Sequence, residues 1–115
     1  MTGRDTLEQQ TRRNLEGMEL EQSGRPDLAV ELYERNVAEG FEGDWPYGRL
    51  VAYYEREGRL EQAERVLQRA IQVFKGSKRR SAEERRLMLR AFRGRLRLVQ
   101  KAHKNHTDTG AQAND

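Results

Sequence analysis

The sequence predicts an all-α fold of about five helices, arranged as antiparallel helical hairpins. Three observations predict this fold: a pattern that recurs 34 residues later, glycines that separate helical segments, and apolar residues at helical spacing. The pattern begins at Gly24 and again at Gly58, and the same shift places Ala29 on Ala63. A fixed period of this length is typical of helical repeat proteins, in which each unit is one hairpin.

Turn and capping signals divide the chain into its helices. Glycine tolerates the left-handed backbone at a helix C-terminus, so Gly24 and Gly58 are expected to end the first helix of each pair. Asp44 is a suitable N-cap, and Pro46 fits the first turn of the helix that follows it. The predicted helices cover about 6–22, 27–39, 44–57, 60–74 and 81–104.

The ends and one loop carry further expectations. Thr6 is a candidate N-cap for the first helix, and residues 81–84 have the Ser-x-x-Glu form of a capping box for the last one. Phe41 lies in the loop between the two copies, where we expect it to plug the core. Residues 1–5 are expected to fray, and the polar segment 105–115 is expected to be disordered.

The repeated pattern resembles the tetratricopeptide repeat, a helix–turn–helix unit of the same length. The family's turn glycine, its small residue early in the second helix and its large residue one turn later have counterparts in both copies. They are Gly24, Ala29 and Tyr33 in the first copy, and Gly58, Ala63 and Leu67 in the second. The resemblance implies one domain over 1–104, a short right-handed superhelix. It has repeats at about 10–43 and 44–77 and a capping helix at about 81–104.

The two copies each depart from the family pattern at some positions. The family has a glycine and two aromatic residues in its first helix and a second small residue in its second helix. The copies hold different residues at these positions, and the closing proline of the family is absent after both. The pairs, first copy before second, are Gly17 and Val51, Arg13 and Tyr47, Leu20 and Tyr54, and Asn36 and Ala70.

The net charge of +3 conceals a division between segments. Residues 1–74 carry 10 basic and 15 acidic side chains, a net charge of −5. Residues 75–104 carry 12 basic and 2 acidic side chains, a net charge of +10, and residues 105–115 carry two Asp. The basic segment therefore favours nucleic acid or another acidic partner.

Composition and motifs argue against several kinds of site. There is no cysteine, so a disulfide framework, a thiol nucleophile and a thiolate metal site are excluded. No apolar run approaches the ~20 residues needed to span a bilayer, and no apolar leader segment follows Met1, so we expect a cytoplasmic protein with no membrane partner. No phosphate-binding glycine motif or nucleophile motif occurs, and we expect no catalytic residue, no cofactor and no enzymatic activity. His103 and His106 lack a neighbouring third ligand in the sequence, so no metal site is expected.

The last predicted helix carries two stripes. Its apolar stripe, at spacings of three, four and three, consists of Leu89, Phe92, Leu96 and Val99. Its separate basic row, at spacings of four, three and four, consists of Arg86, Arg90, Arg93 and Arg97. One interpretation is the capping helix that terminal repeats need. A second, compatible interpretation is that the basic row also binds phosphates or an acidic peptide.

The resemblance to the tetratricopeptide family implies a concave groove lined by the first helix of each hairpin, where the family binds an extended peptide or a helix. Matching the groove positions residue by residue gives the candidate partner-binding residues Asn14, Met18, Trp45, Arg49, Ala52 and Arg56, to which the last helix adds Arg86 and Arg90. Asn14 and Met18 stand where the family's carboxylate clamp has Lys and Asn, so that clamp is not reproduced.

Three functional hypotheses follow from the sequence. The first is a protein-interaction adaptor that binds a peptide or helix in its groove. The second is a nucleic-acid-binding accessory protein that uses residues 75–104. The third is a homodimer or longer stack, since two repeats leave apolar ends that a second copy can cover. We favour the adaptor, because Phe92 is the one aromatic residue in the basic segment and belongs to its apolar stripe, whereas single-strand recognition needs exposed rings.

Overall fold

A computed structural model of the chain describes residues 3–113, with side chains over residues 6–105. This part of the chain forms five α-helices and no strand, which confirms the predicted all-α class. The helices are α1 (Gly3–Gln22), α2 (Pro26–Ala38), α3 (Trp45–Arg56), α4 (Leu60–Lys75) and α5 (Ala82–Ala113). Each helix packs chiefly against its neighbours in the chain, and the pairs α1–α2, α3–α4 and α4–α5 have the largest contacts.

Two helix boundaries differ from those that the sequence predicts. Helix α1 begins at Gly3, so Thr6 lies inside the helix and is not its N-cap. Helix α5 continues past Lys104 to Ala113, so the segment predicted to be disordered is helical as far as that residue. No proline stands between Lys104 and Ala113 to end the helix. The remaining parts of the two predicted flexible ends, residues 1–2 and 114–115, lie outside the described residues.

Three glycines close the turns after α1, α2 and α3. Gly24, Gly40 and Gly58 have φ angles of 78°, 75° and 72°, a left-handed conformation that residues with a Cβ atom rarely adopt. After α3, the Gly58 N–H donates to the Glu55 carbonyl at 3.1 Å and the Arg59 N–H donates to the Tyr54 carbonyl at 2.7 Å. This Schellman pairing recurs at the other two turns and confirms the predicted role of Gly24 and Gly58.

The helix starts use the predicted residues in two different ways. The Ser81 hydroxyl accepts a hydrogen bond from the Glu84 N–H at 3.1 Å, which is the N-cap bond expected of a capping box. Asp44 occupies the N-cap position of α3, but its side chain makes no capping hydrogen bond. Pro46 lies in the first turn of α3, where its missing N–H would have no intrahelical partner.

The buried core lies between α2, α3 and α4, and α5 covers α4. Its apolar members are Ala29, Tyr33, Val37, Tyr47, Leu50, Val51, Tyr54, Ala63, Val66, Leu67, Ala70, Phe74 and Val99. The predicted stripe of α5 faces this core, with Val99 buried and Leu89, Phe92 and Leu96 partly buried against it. The ring of Phe92 stacks on Phe74 at a centroid distance of 5.3 Å and meets Tyr47 edge-on at 6.2 Å.

The expectation that Phe41 plugs the core is wrong. Its side chain is only partly buried, and its ring lies against Gly43, where an added Cβ atom would be 2.5 Å away. The aromatic rings that do meet in this part of the core are Tyr47, Phe74 and Phe92. The backbone of Phe41 nevertheless fixes the loop, because its carbonyl accepts a hydrogen bond from the Tyr47 hydroxyl at 2.8 Å.

A buried asparagine joins α1 to α2. The Nδ2 group of Asn36 donates to the Gln10 carbonyl at 2.8 Å and to Oδ1 of Asn14 at 2.9 Å, and Arg13 donates to Asn36 Oδ1 at 3.0 Å. These three bonds compensate the cost of burying the amide. They also explain two departures from the repeat pattern together. Asn36 replaces a small residue and Arg13 replaces an aromatic one, and the two side chains bond to each other.

We expect Ala63→Leu to destabilise the fold by about 1–3 kcal/mol. Ala63 is completely buried where α4 packs against α3, so the extra carbons would overpack that contact. Gln68→Leu is the matched control, because Gln68 is exposed on the same helix and its replacement should change the free energy of unfolding by less than about 0.5 kcal/mol. Equal unfolding free energies for the two variants in urea would contradict this packing.

Gly17→Ala should also destabilise the fold, by about 1–3 kcal/mol. A Cβ atom at Gly17 would lie 2.5 Å from the ring of Tyr33, which is buried and hydrogen-bonded and therefore cannot move aside easily. Gly48→Ala provides the control within α3, since nothing lies within 4 Å of its added Cβ. That change should stabilise the helix by up to about 1 kcal/mol, so thermal unfolding of the two variants should shift in opposite directions.

Candidate partner-binding groove

The structure distributes the eight candidate residues over four environments. Met18, Trp45 and Arg49 line one cleft between α1 and α3. Arg86 and Arg90 line a second cleft on the surface of α5. The remaining candidates are Asn14, which is buried, and Ala52 and Arg56, which follow Arg49 along α3.

The cleft between α1 and α3 has a volume of about 220 Å³. Its lining combines an apolar part with two charged groups, and consists of Met18, Glu21, Gln22, Trp45 and Arg49. We call this cleft the groove. Helix α1 contributes three of these side chains from its last turns, and α3 contributes two from its first turns. Hence the two helices place the end of one and the start of the other around a single opening.

Trp45 is held in a fixed orientation although 40% of its surface is exposed. Its indole Nε1–H donates to the hydroxyl oxygen of Tyr33 at 3.2 Å. The guanidinium carbon of Arg49 lies 5.8 Å from the centre of the indole, within the range of a cation–π contact. The ring therefore presents an apolar surface to the groove without needing to be ordered by a ligand.

Glu21 organises the polar side of the groove. It accepts hydrogen bonds from Nε and Nη2 of Arg49, the first at 3.1 Å, and from the Tyr33 hydroxyl at 2.7 Å. Burial by itself raises the pKa of Glu21, but the hydrogen bonds from Arg49 and Tyr33 outweigh burial and hold that pKa below its ordinary value. Burial and the bond to Glu21 raise the pKa of Tyr33 to about 12. At neutral pH Glu21 is consequently ionised and pairs with Arg49, and the Tyr33 hydroxyl keeps the proton that it donates.

The prediction that Asn14 lines the groove is wrong. Its side chain is buried, with 8% of the residue exposed, and its Oδ1 accepts a hydrogen bond from Asn36. Asn14 therefore belongs to the polar network between α1 and α2, and a ligand would have to break that network to reach it.

Ala52 and Arg56 continue the face of α3 that begins with Trp45 and Arg49. The four residues are spaced by four, three and four, so they lie along one side of the helix. Ala52 is partly buried, and Arg56 is exposed with its guanidinium 6.0 Å from the centre of the Tyr53 ring. This row therefore runs from an aromatic ring at the start of α3 to an accessible cation at its end.

The second cleft lies on the outer surface of α5 and has a volume of about 270 Å³. It is lined by Arg86, Leu87, Arg90, Arg93 and Arg97. All four arginines are exposed, and none is paired with a carboxylate within the described portion of the chain. By contrast, Arg95 on the same helix donates to Glu55 of α3 at 2.9 Å. The basic row is thus separate from the contacts that attach α5 to the helical stack.

Sequence reasoning missed Glu21 and Tyr33 as parts of the groove. The sequence identifies Tyr33 only as the large residue of the repeat, and its hydroxyl reaches the groove because α2 packs against α1. Glu21 resembles any other solvent-facing glutamate in the sequence. One signal was available: Glu21 lies in the last turn of α1 and Arg49 lies near the start of α3, with opposite charges. That signal is weak, because the chain contains 19 acidic residues.

No helix among the described residues is both long and apolar enough to cross a membrane. Comparisons with protein-family models, with curated proteins and with solved structures found no match to this chain. The resemblance to the tetratricopeptide repeat therefore stays a prediction from the residues themselves.

Acid should release Arg49 from Glu21. A carboxylate with a lowered pKa contributes stability above its unfolded-state pKa, and this contribution is lost as the pH falls through the folded-state pKa. Because Trp45 is the sole tryptophan and contacts Arg49, we expect its fluorescence to change at a pH below 4.5, the ordinary value for glutamate. Glu21→Gln should abolish this transition, and Glu16→Gln, an exposed change on the same helix, should preserve it. A transition that survives in Glu21→Gln would assign the change to another carboxylate.

Proposed function

We propose that this chain is a non-enzymatic protein-interaction module of the tetratricopeptide type, an adaptor or scaffold that acts in the cytoplasm. In this proposal a peptide or helix of a partner protein binds in the groove between α1 and α3. The observation that carries the proposal is Trp45, which is exposed at the groove while hydrogen bonding and a cation–π contact fix its orientation. Tryptophan and arginine are, together with tyrosine, enriched among the residues that dominate binding energy at protein interfaces.

The groove favours a ligand that combines an apolar side chain with a negative charge. Met18 and Trp45 offer the apolar contact, and the groove volume of about 220 Å³ accommodates a side chain but not a folded domain. Glu21 already neutralises Arg49, so Arg56 is the cation on this face that remains accessible to a ligand. Arg49 and Arg56 are seven residues apart, or roughly 10 Å along the helix. A ligand that fills the groove and continues along α3 therefore meets Arg56 about two turns later.

A free C-terminal carboxylate held by the family's Lys–Asn clamp is not the proposed ligand. The residue at the position of the clamp lysine, Asn14, is buried in a hydrogen-bond network, and the residue at the position of the clamp asparagine, Met18, is apolar. An internal segment of a partner protein fits the available groups better, since it requires no terminal carboxylate.

The test is affinity capture of protein partners from native lysate, with nuclease added to remove nucleic acid. The double variant Trp45→Ala/Arg49→Ala should lose capture of a specific protein, because truncating an interface tryptophan alone typically costs about 2 kcal/mol or more in binding. Trp45→Phe keeps an apolar ring in the groove and should retain part of the capture. Leu15→Ala is the matched control, since Leu15 is an exposed residue of α1 that does not line the groove.

Purified partner segments can then be titrated while the fluorescence of Trp45 is followed. A ligand in the groove should change this fluorescence in a saturable manner, because no other tryptophan contributes to the signal. Capture that persists in the double variant but disappears with nuclease would reverse the conclusion in favour of a nucleic-acid-binding protein.

A further inference from the structure

Helix α5 carries a second apolar line on the side that faces away from the core. Leu87 and Leu98 are 63% and 66% exposed, so both leucines lie open at the surface. Ala91 and Gly94 lie between them in the sequence, and the four residues are spaced by four, three and four. At 3.6 residues per turn this spacing places them on one side of the helix, opposite Leu96 in the buried stripe. We call these four residues the outer seam.

The outer seam has the form of a surface on which another helix can lie. Two large apolar side chains stand at its ends, roughly 16 Å apart, and two small residues between them leave the backbone accessible. A Cβ atom added at Gly94 would have only the Arg97 side chain nearby, at 3.8 Å. Elsewhere in the same chain, Gly17 of α1 lies under the ring of Tyr33 from α2. Gly94 therefore offers a comparable opening, with no helix of the described chain placed over it.

A row of exposed cations, with no carboxylate partner among the described side chains, borders the outer seam on one side. Arg90 and Arg97 immediately precede Ala91 and Leu98 in the sequence, and together with Arg86 and Arg93 they line the cleft that also contains Leu87. Four exposed guanidinium groups along one edge would repel a basic partner and attract carboxylates. Arginine also pairs with carboxylates through two parallel hydrogen bonds, which fixes the direction of approach.

We propose that the outer seam of α5 binds an amphipathic helix of a partner protein, with leucine-like side chains against Leu87 and Leu98 and glutamate or aspartate residues against the arginine row. This site is independent of the groove between α1 and α3, since the two are lined by different residues. Failure of either proposal therefore leaves the other intact.

Charge disfavours a second copy of this chain as the occupant. When two identical helices pair in antiparallel fashion, each border meets the same border of its partner, so the two arginine rows would face each other. In a parallel pair, the row would face a border that carries Arg95 and one carboxylate, Glu84. Both arrangements bring excess positive charge together, whereas an acidic helix neutralises it.

Apolar exposure disfavours nucleic acid as the occupant. Phosphates would pair with the arginines but would leave Leu87 and Leu98 in water. Bases stack on exposed aromatic rings, and the one aromatic residue of α5, Phe92, is stacked on Phe74 against the core. A helix that presents both apolar and acidic side chains uses every group on this face.

The test uses a fluorescein-labelled designed peptide of about 18 residues, which is about five helical turns. The peptide carries leucines at helical spacing and glutamates on both sides of them, and its binding to the full chain is measured by anisotropy. Two matched peptides are compared with it: one has lysine in place of every glutamate, and the other has serine in place of every leucine. We expect saturable binding of the glutamate peptide. The serine peptide should bind at least roughly tenfold more weakly, since a buried leucine contributes at least that factor. The lysine peptide should also bind at least roughly tenfold more weakly, because its charges repel the arginine row.

Variants of the chain assign the binding to α5. Leu87→Ser/Leu98→Ser should weaken the binding of the glutamate peptide by about tenfold or more at all salt concentrations. Arg90→Glu/Arg97→Glu should reverse the preference towards the lysine peptide, and this effect should diminish as salt is raised. Arg12→Glu/Leu15→Ser changes equally exposed residue types on α1 and should have no effect. Circular dichroism melting curves verify that each variant is folded. If the double leucine variant does not fold, the double arginine variant still tests the proposal.

Four outcomes would refute the proposal. The first is unchanged peptide binding in the leucine variant, which would leave only a charged surface. The second is tighter binding of a duplex oligonucleotide that does not depend on the leucines. The third is co-sedimentation with phosphatidylserine vesicles that the glutamate peptide cannot compete away, which would identify a lipid surface. The fourth is a dimer in sedimentation equilibrium that Leu87→Ser/Leu98→Ser disperses, which would identify a second copy as the occupant.

Discussion

The contact of Tyr33 with Gly17 is the interaction on which both the core and the groove depend. Tyr33 is large and buried, and it fits only because Gly17 has no side chain where α1 crosses α2. A buried phenol also needs a partner for its hydroxyl, and Glu21 and Trp45 supply two at the edge of the core. The packing that holds the first hairpin together thus also fixes the tryptophan and the carboxylate of the groove.

The same chemistry recurs at the other buried tyrosines. The Tyr54 hydroxyl bonds to Glu34 of α2, which Arg65 of α4 also contacts, and the Tyr47 hydroxyl holds the loop before α3. Each ring fills the core while its hydroxyl reaches a polar group on a neighbouring segment, and burial raises the pKa of Tyr47 and of Tyr54 to about 12. These contacts set the relative positions of helices whose apolar surfaces alone would permit sliding.

Helix α5 packs against the core with one face and exposes a different face to solvent. Leu89, Phe92, Leu96 and Val99 attach it to the core, and Arg95 and His103 add polar contacts to Glu55 and Glu64. The opposite face retains two exposed leucines and an arginine row that pairs with no carboxylate among residues 6–105. The four arginines of this row take no part in the contacts that hold the helix in place, and for that reason our proposal gives them a role in binding.

The sequence by itself determined the helices, their turns and most of the core. Periodicity and turn glycines act over a few residues, so Gly24, Gly58 and the apolar stripe of α5 were predictable from local physical chemistry. Tertiary structure decided which polar residues meet. Asn14 became buried because Asn36 packs across from it, and Glu21 became part of the groove because Tyr33 and Arg49 converge on it. Such contacts join residues far apart in the chain, and no local pattern encodes their distance.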